Sequence, residues 1–190
     1  MKLPIIAYGD TVLRKKGEAI TAEYPELKTL IDNMFETMYG AHGVGLAAPQ
    51  IGLAIRLFVI DATSFAEDEP ALKDFKKVFI NAQILEENGN KWSFNEGCLS
   101  IPDIREDIDR YENLKISYYD ENFNHHEESF SGLAARIIQH EYDHIEGKLF
   151  VDKLSPLRKA MLQNKLSSIS KGIVKVDYKM KFPALKKGRR

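Results

Sequence analysis

The stretch "QHEYDH" (139–144) places His140 and His144 four residues apart with Glu141 directly after the first histidine. On a helix that spacing turns both imidazoles to one side, and two imidazoles with a neighbouring carboxylate suit a catalytic divalent metal. Glu141 falls about 100° round the helix from His140, where it can reach a water on the metal without binding the metal itself. A third ligand is needed. The candidates to supply it are Cys98, Asp143, Glu146, His42, His125 and His126, or a carboxylate elsewhere in the chain. His125 and His126 sit in a polar strand beside two glutamates, and His42 follows a helix end. Cys98 lies in "EGCLS" (96–100), flanked by a glycine that permits a tight turn and by apolar Leu99, and a thiolate binds first-row metals strongly.

The elements that must position these groups can be traced along the chain. Leu133, Ile137, His140 and His144 form one stripe of a helix over 132–146, so the histidines share the face that the apolar residues bury. Ser131 is placed to cap that helix and Gly147 to stop it. Leu27, Leu30, Ile31, Met34, Phe35 and Met38 predict an N-terminal helix ending near Gly40. "RLFVID" (56–61) and "KVFINAQIL" (77–85) read as strands, with 62–76 between them as an acidic surface excursion. "LKISYYD" and "HHEESF" predict a hairpin around "ENFN". A further helix follows Ser155-Pro156 and stops at Gly172. Alternation of Val174, Val176, Tyr178 and Met180 with charged residues then predicts an edge strand whose lysines discourage further pairing. The expected architecture is α+β: short antiparallel or mixed strands around a central metal-binding helix, with further N- and C-terminal helices.

With 190 residues, the chain reads as one domain over 1–190, with a C-terminal strand and basic tail from about 173. Basic and acidic residues nearly cancel, 27 against 28, which offers no surface for DNA or an anionic membrane. No apolar run reaches membrane-spanning length, and the N-terminus lacks a signal-peptide pattern. A single cysteine excludes an internal disulfide and fits a reducing compartment, so a cytoplasmic protein is expected.

Three motifs together, "GVGLAAPQ" (43–50), "EGCLS" (96–100) and "QHEYDHIEG" (139–147), resemble the signature motifs of peptide deformylases in their order and spacing. Ile145 stands where leucine is usual. The resemblance implies hydrolysis of the N-terminal formyl group from formylmethionyl nascent polypeptides. It implies Cys98, His140 and His144 as metal ligands, water in the fourth position, and Glu141 as general base. The amide of Gln50 and the N–H of Leu99 would stabilise the oxyanion. Gly43 and Gly45 would let the peptide lie against the backbone, and Val44, Leu133 and Ile137 would receive the methionine side chain. Glu96 and Arg105 are candidates for orienting the pocket or holding substrate backbone, and Asp143 with Arg110 for supporting the site. Iron(II) is the expected metal; zinc, nickel and cobalt suit the same donors. Two other readings of the histidine pair are a zinc endopeptidase, which leaves "EGCLS" unexplained, and a structural zinc site, which would want a fourth protein ligand. "KKGRR" at the C-terminus reads as a solvated end or as a contact to ribosomal RNA near the exit tunnel.

Overall fold

The computed structural model describes residues 1–183. Its elements are β1 (Ile5–Ile6), α1 (Leu27–Gly40), β2 (Gly45–Ala47), β3 (Leu57–Asp61), β4 (Lys76–Cys98), β5 (Ile101–Tyr119), β6 (His125–Ser131), α2 (Gly132–Ile145), α3 (Pro156–Ser170) and β7 (Met180–Lys181). Strands β2 to β6 form one antiparallel sheet in sequence order, and β1 pairs with β7 in parallel. This is the expected α+β class. No helix among the described residues is long and apolar enough to cross a membrane.

Strand β3 explains the layering. Its run Leu57-Phe58-Val59-Ile60 is apolar without alternation because both faces are covered. Phe58 and Ile60 pack with Leu133, Ile137 and Ile138 of α2, and Leu57 and Val59 pack with Ile31, Met34 and Met38 of α1. Phe79 stacks between Phe58 and Tyr118, at ring separations of 4.7 and 4.4 Å, and ties three neighbouring strands together. A third apolar cluster joins α3, through Leu162, Leu166 and Ile169, to Ile104 and Ile108 of β5.

Several elements differ from the sequence expectation. The strand expected over 77–85 runs to Cys98 and turns through Leu99–Ser100 into β5, a far longer hairpin than periodicity suggests. The inward positions of β5 include Glu106 and Arg110, whose charges interrupt the apolar alternation. The 62–76 stretch is not purely a surface excursion: Leu72 and Phe75 are buried in the main core, and Phe65 packs against it. Ser131 occupies the N-cap of α2 with extended backbone, but its side chain caps nothing. Ser155, by contrast, accepts from Arg158 N at 3.2 Å. The edge strand expected from Val174 shrinks to Met180–Lys181, because β1 offers only two residues to pair with. Its alternation survives as sidedness, with Val174, Val176, Tyr178 and Met180 half-buried and the charged residues between them exposed. "KKGRR" lies outside the described residues.

Candidate active site

Helix α2 carries His140 and His144 into the interior, and the β4–β5 turn brings Cys98 to them. The Cys98 sulfur and the two imidazoles offer donor atoms that all lie within 4.8 Å of one another. Cys98 Sγ is 3.3 Å from His144 Nε2. His140 Nδ1 is 2.9 Å from Glu96 Oε2, which leaves its Nε2 to face the cluster. A carboxylate on the far nitrogen of a ligating imidazole is the usual way to fix its tautomer. The other five named candidates for a third ligand are engaged elsewhere. His42 meets Asp177, His125 meets Ser117, His126 meets Asp120, Glu146 holds Arg56, and Asp143 holds Arg110.

Burial works against charge on His140, but hydrogen bonds to Cys98 and Glu96 outweigh it and raise its pKa to about 10. Burial and the charge of His140 press His144 well below the ordinary histidine range, toward the neutral form that ligates. The donor set therefore fits a divalent transition metal.

Two buried glutamates flank the cluster with opposite character. Glu96 accepts from Arg110 Nε at 2.7 Å and Nη2 at 3.0 Å, from Arg136 Nη1 at 2.7 Å, and meets His140. Burial alone would raise its pKa, but His140 and Arg110 hold it far below the usual carboxylate range. Glu96 also borders the cleft, yet its carboxylate oxygens are taken up by these protein partners rather than left free for substrate backbone. Arg110 bridges onward to Asp143 at 2.7 Å, so Asp143 takes the supporting role that the sequence leaves level with a solvated helix-face carboxylate. Glu141 is 4% exposed and its Oε2 has no hydrogen-bond partner among the described residues. Desolvation raises its pKa to about 7, against the opposing charges of His140 and Arg110.

Gly45 explains how Glu141 gets so close. A Cβ at Gly45 would stand 2.7 Å from Glu141 Cδ, so the missing side chain makes room for the carboxylate. At Gly43 a Cβ would meet Leu99 Cδ1 at 2.7 Å. Both glycines thus admit neighbouring protein atoms on the side where a Cβ would stand. Gln50, in the short 3-10 turn after β2, accepts from Ala47 N through Oε1 at 2.8 Å. That bond orients its amide, so Nε2 faces Ser100 Oγ at 3.3 Å and Cys98 Sγ at 3.4 Å.

These groups open on a cleft of about 820 Å³. Val44, Leu133 and Ile137 line it as expected, and Arg105 stands on its rim with its guanidinium on Asn95. Sequence reasoning missed Phe65, Phe94, Arg136 and Tyr178, which also line it. Arg136 had a signal: a charge between Leu133 and Ile137 on a buried helix. Its guanidinium lies 4.1 Å from the Trp92 ring centroid. Tyr178 donates to Leu99 O at 2.9 Å, and burial beside Cys98 holds its pKa well above the ordinary tyrosine value.

The polypeptide deformylase family model matches residues 2–160, a span that includes the whole donor cluster. The chain belongs to that family. It is 58% identical to a peptide deformylase of Christiangramia forsetii and 60% identical to one of Flavobacterium johnsoniae, each over the full length of both chains. Among solved structures, a peptide deformylase from Legionella pneumophila superposes with a TM-score of 0.80 at 39% identity, covering 91% of this chain and 98% of that one. Deformylation of N-formylated nascent peptides, a hydrolase activity, is the function that family membership carries.

Proposed function

We propose that this deformylase works through a divalent metal held by Cys98, His140 and His144, with iron(II) as the physiological ion. The observation that carries the reading is the convergence of three soft and borderline donors beside a buried carboxylate whose Oε2 has no hydrogen-bond partner among the described residues. Such a cation supplies Lewis acidity and brings the pKa of a coordinated water toward neutrality.

The chain's own groups do the rest. Glu141, with its pKa raised to about 7, is suited to take a proton from the attacking water and return it to the departing amine. Gln50 Nε2 and the Leu99 N–H face the formyl oxygen as it gains charge, each such donor contributing about 3 kcal/mol to the transition state. The peptide adds along the free edge of β2, beside Gly43 and Gly45, because β2 ends the sheet. Val44, Leu133 and Ile137 receive the methionine side chain, and Arg105 at the rim meets the downstream backbone. Glu96 acts through His140, whose imidazole it orients, rather than by touching substrate.

Residues 1–190 act as one catalytic domain in the cytoplasm on formylmethionyl peptides, and the basic tail is a solvated end or a contact to ribosomal RNA. Formate release from an N-formylmethionyl tripeptide tests the reading, with anaerobically iron-loaded protein run beside Glu141→Ala. Wild type should release formate with the internal peptide bonds intact, and the variant should not. Cleavage at an internal bond would favour an endopeptidase instead. Iron-loaded protein should lose activity in air, whereas nickel-loaded protein should keep it; equal persistence of both would count against iron as the native metal.

A further inference from the structure

Two carbonyls of the turn that carries Cys98 are held by the two ends of the described chain. Tyr8 N donates to Ser100 O at 2.8 Å, and Tyr178 Oη donates to Leu99 O at 2.9 Å. These holders are themselves tied together. Ile5 N donates to Lys179 O at 2.8 Å and Ala7 N to Lys181 O at 2.9 Å, so the ladder between β1 and β7 begins one residue beyond Tyr178. On its other side, Asp177 meets His42, next to Gly43, at 3.2 Å. Residues 175–178 thereby line the cleft, with Val176 and Tyr178 half-buried. Among the described residues the Leu99 N–H has no hydrogen-bond partner, while the atoms around it do.

We infer that Tyr178 is a positioning residue for the reaction: its hydroxyl fixes the Leu99 carbonyl and so keeps the adjoining Leu99 N–H aimed into the cleft. The inference rests on the reading above, in which that N–H receives the oxyanion. A two-residue turn has few internal constraints, and a coupled rotation about the Cys98 ψ and Leu99 φ bonds would swing the Leu99 N–H without moving the Cys98 sulfur. The bond to the Leu99 carbonyl fixes the residue on which that rotation hinges. Gln50 Nε2 touches Ser100 Oγ and Cys98 Sγ but leaves the Leu99 peptide alone. The phenol is therefore the contact that acts on the Leu99 carbonyl directly. A misaimed donor weakens transition-state binding more than ground-state binding, because charge on the formyl oxygen develops only during attack.

The test is Tyr178→Phe, which keeps the ring and removes one hydroxyl, with Lys179→Ala as an exposed control at the next residue. Steady-state kinetics on an N-formylmethionyl tripeptide should show kcat reduced about tenfold, as the loss of one well-placed hydrogen bond allows, with KM within about twofold. Metal content and melting temperature should match wild type, and Lys179→Ala should be unaffected. Unchanged kcat in Tyr178→Phe would overturn the inference. So would a loss of activity that merely tracks loss of metal or of folded protein. The Leu99 amide resonance of the zinc-loaded protein judges the contact independently of turnover: it should shift in Tyr178→Phe, and a resonance that stays in place would refute the contact. Wild type that releases no formate would instead sink the deformylase reading.

Discussion

At the far end of β5, Asp120 accepts from the backbone N–H groups of Asn122 and Asn124, both at 2.9 Å, and meets His126 at 2.8 Å. All of these partners lie within six residues of it. At the near end, the turn at Leu99–Ser100 draws its contacts from Tyr8, Gln50 and Tyr178, 92 positions away in the chain for Tyr8 and 79 for Tyr178. The far turn can form as soon as its own residues come together. The near turn is only as well placed as the segments that converge on it. That dependence is what lets it bring a sulfur to two histidines 42 and 46 positions on. Substitutions at the near end should therefore cost activity, or the whole fold, whereas those at the far end should cost a little stability alone.

The sharpest expected effect is at Glu141. Glu141→Gln keeps the shape beside Gly45 but cannot accept a proton, so kcat should fall by about 10³-fold with metal content retained. Stopped assays with metal analysis on the same sample check this; a fall below tenfold would place the base elsewhere. Next is Arg110→Met, which removes the buried cation that Glu96 and Asp143 share and leaves Glu96 to Arg136 and His140 and Asp143 to Lys153. Breaking such a pair should cost about 3–5 kcal/mol, read from urea unfolding at neutral pH. Stability equal to wild type would mean that the network behind His140 is not holding the near end together.

Gln50→Ala removes one donor at the cleft and leaves the Ala47 N–H without its side-chain acceptor. Loss of about 10²-fold in kcat is expected, larger than any change in KM. A rise in KM alone would assign Gln50 to substrate binding in the ground state. The smallest effect belongs to the far turn. Asp120→Asn should destabilise by about 1 kcal/mol and leave kcat untouched. Burial would raise the Asp120 pKa, but His126 and the Asn124 backbone bring it down to about 2. A carboxyl lowered on folding stabilises the protein above its unfolded value, about 3.9, and that contribution fades as pH falls toward 2. The gap between wild type and variant should hold from pH 7 to about 5 and narrow below; a gap that widens in acid would contradict the pairing.

The contrast between the turns also explains what could be read in advance. "DENFN" announces a turn because aspartate and asparagine cap their own backbone, and the hairpin around it was legible. Helix α1 was equally clear from its apolar period. The first half of β5 was not, since Glu106 and Arg110 occupy inward positions that a periodicity reading expects to be apolar. Their charges are affordable there only because Arg158 lies 2.6 Å from Glu106, and Glu96 and Asp143 lie 2.7 Å from Arg110. Arg136 escaped for the same reason, its partners Glu96, Ile108 and Trp92 coming from the two long strands.

By itself the sequence determined the histidine pair, its glutamate and the helix that presents them, because a 3.6-residue period needs nothing beyond the helix. Three short motifs in order were enough to indicate the family. The residue types and their spacing alone left the third member of the cluster open until the family resemblance pointed to Cys98, and the tertiary structure brings Cys98 to the histidines across a hairpin whose length no local pattern encodes. It also decided that Gly45 makes room for Glu141, that Glu96 turns to His140, and that Tyr178 reaches the Leu99 carbonyl. Each of these depends on atoms from distant segments packing within about 3 Å of one another, and such distances follow from how whole elements stack rather than from the residues on either side.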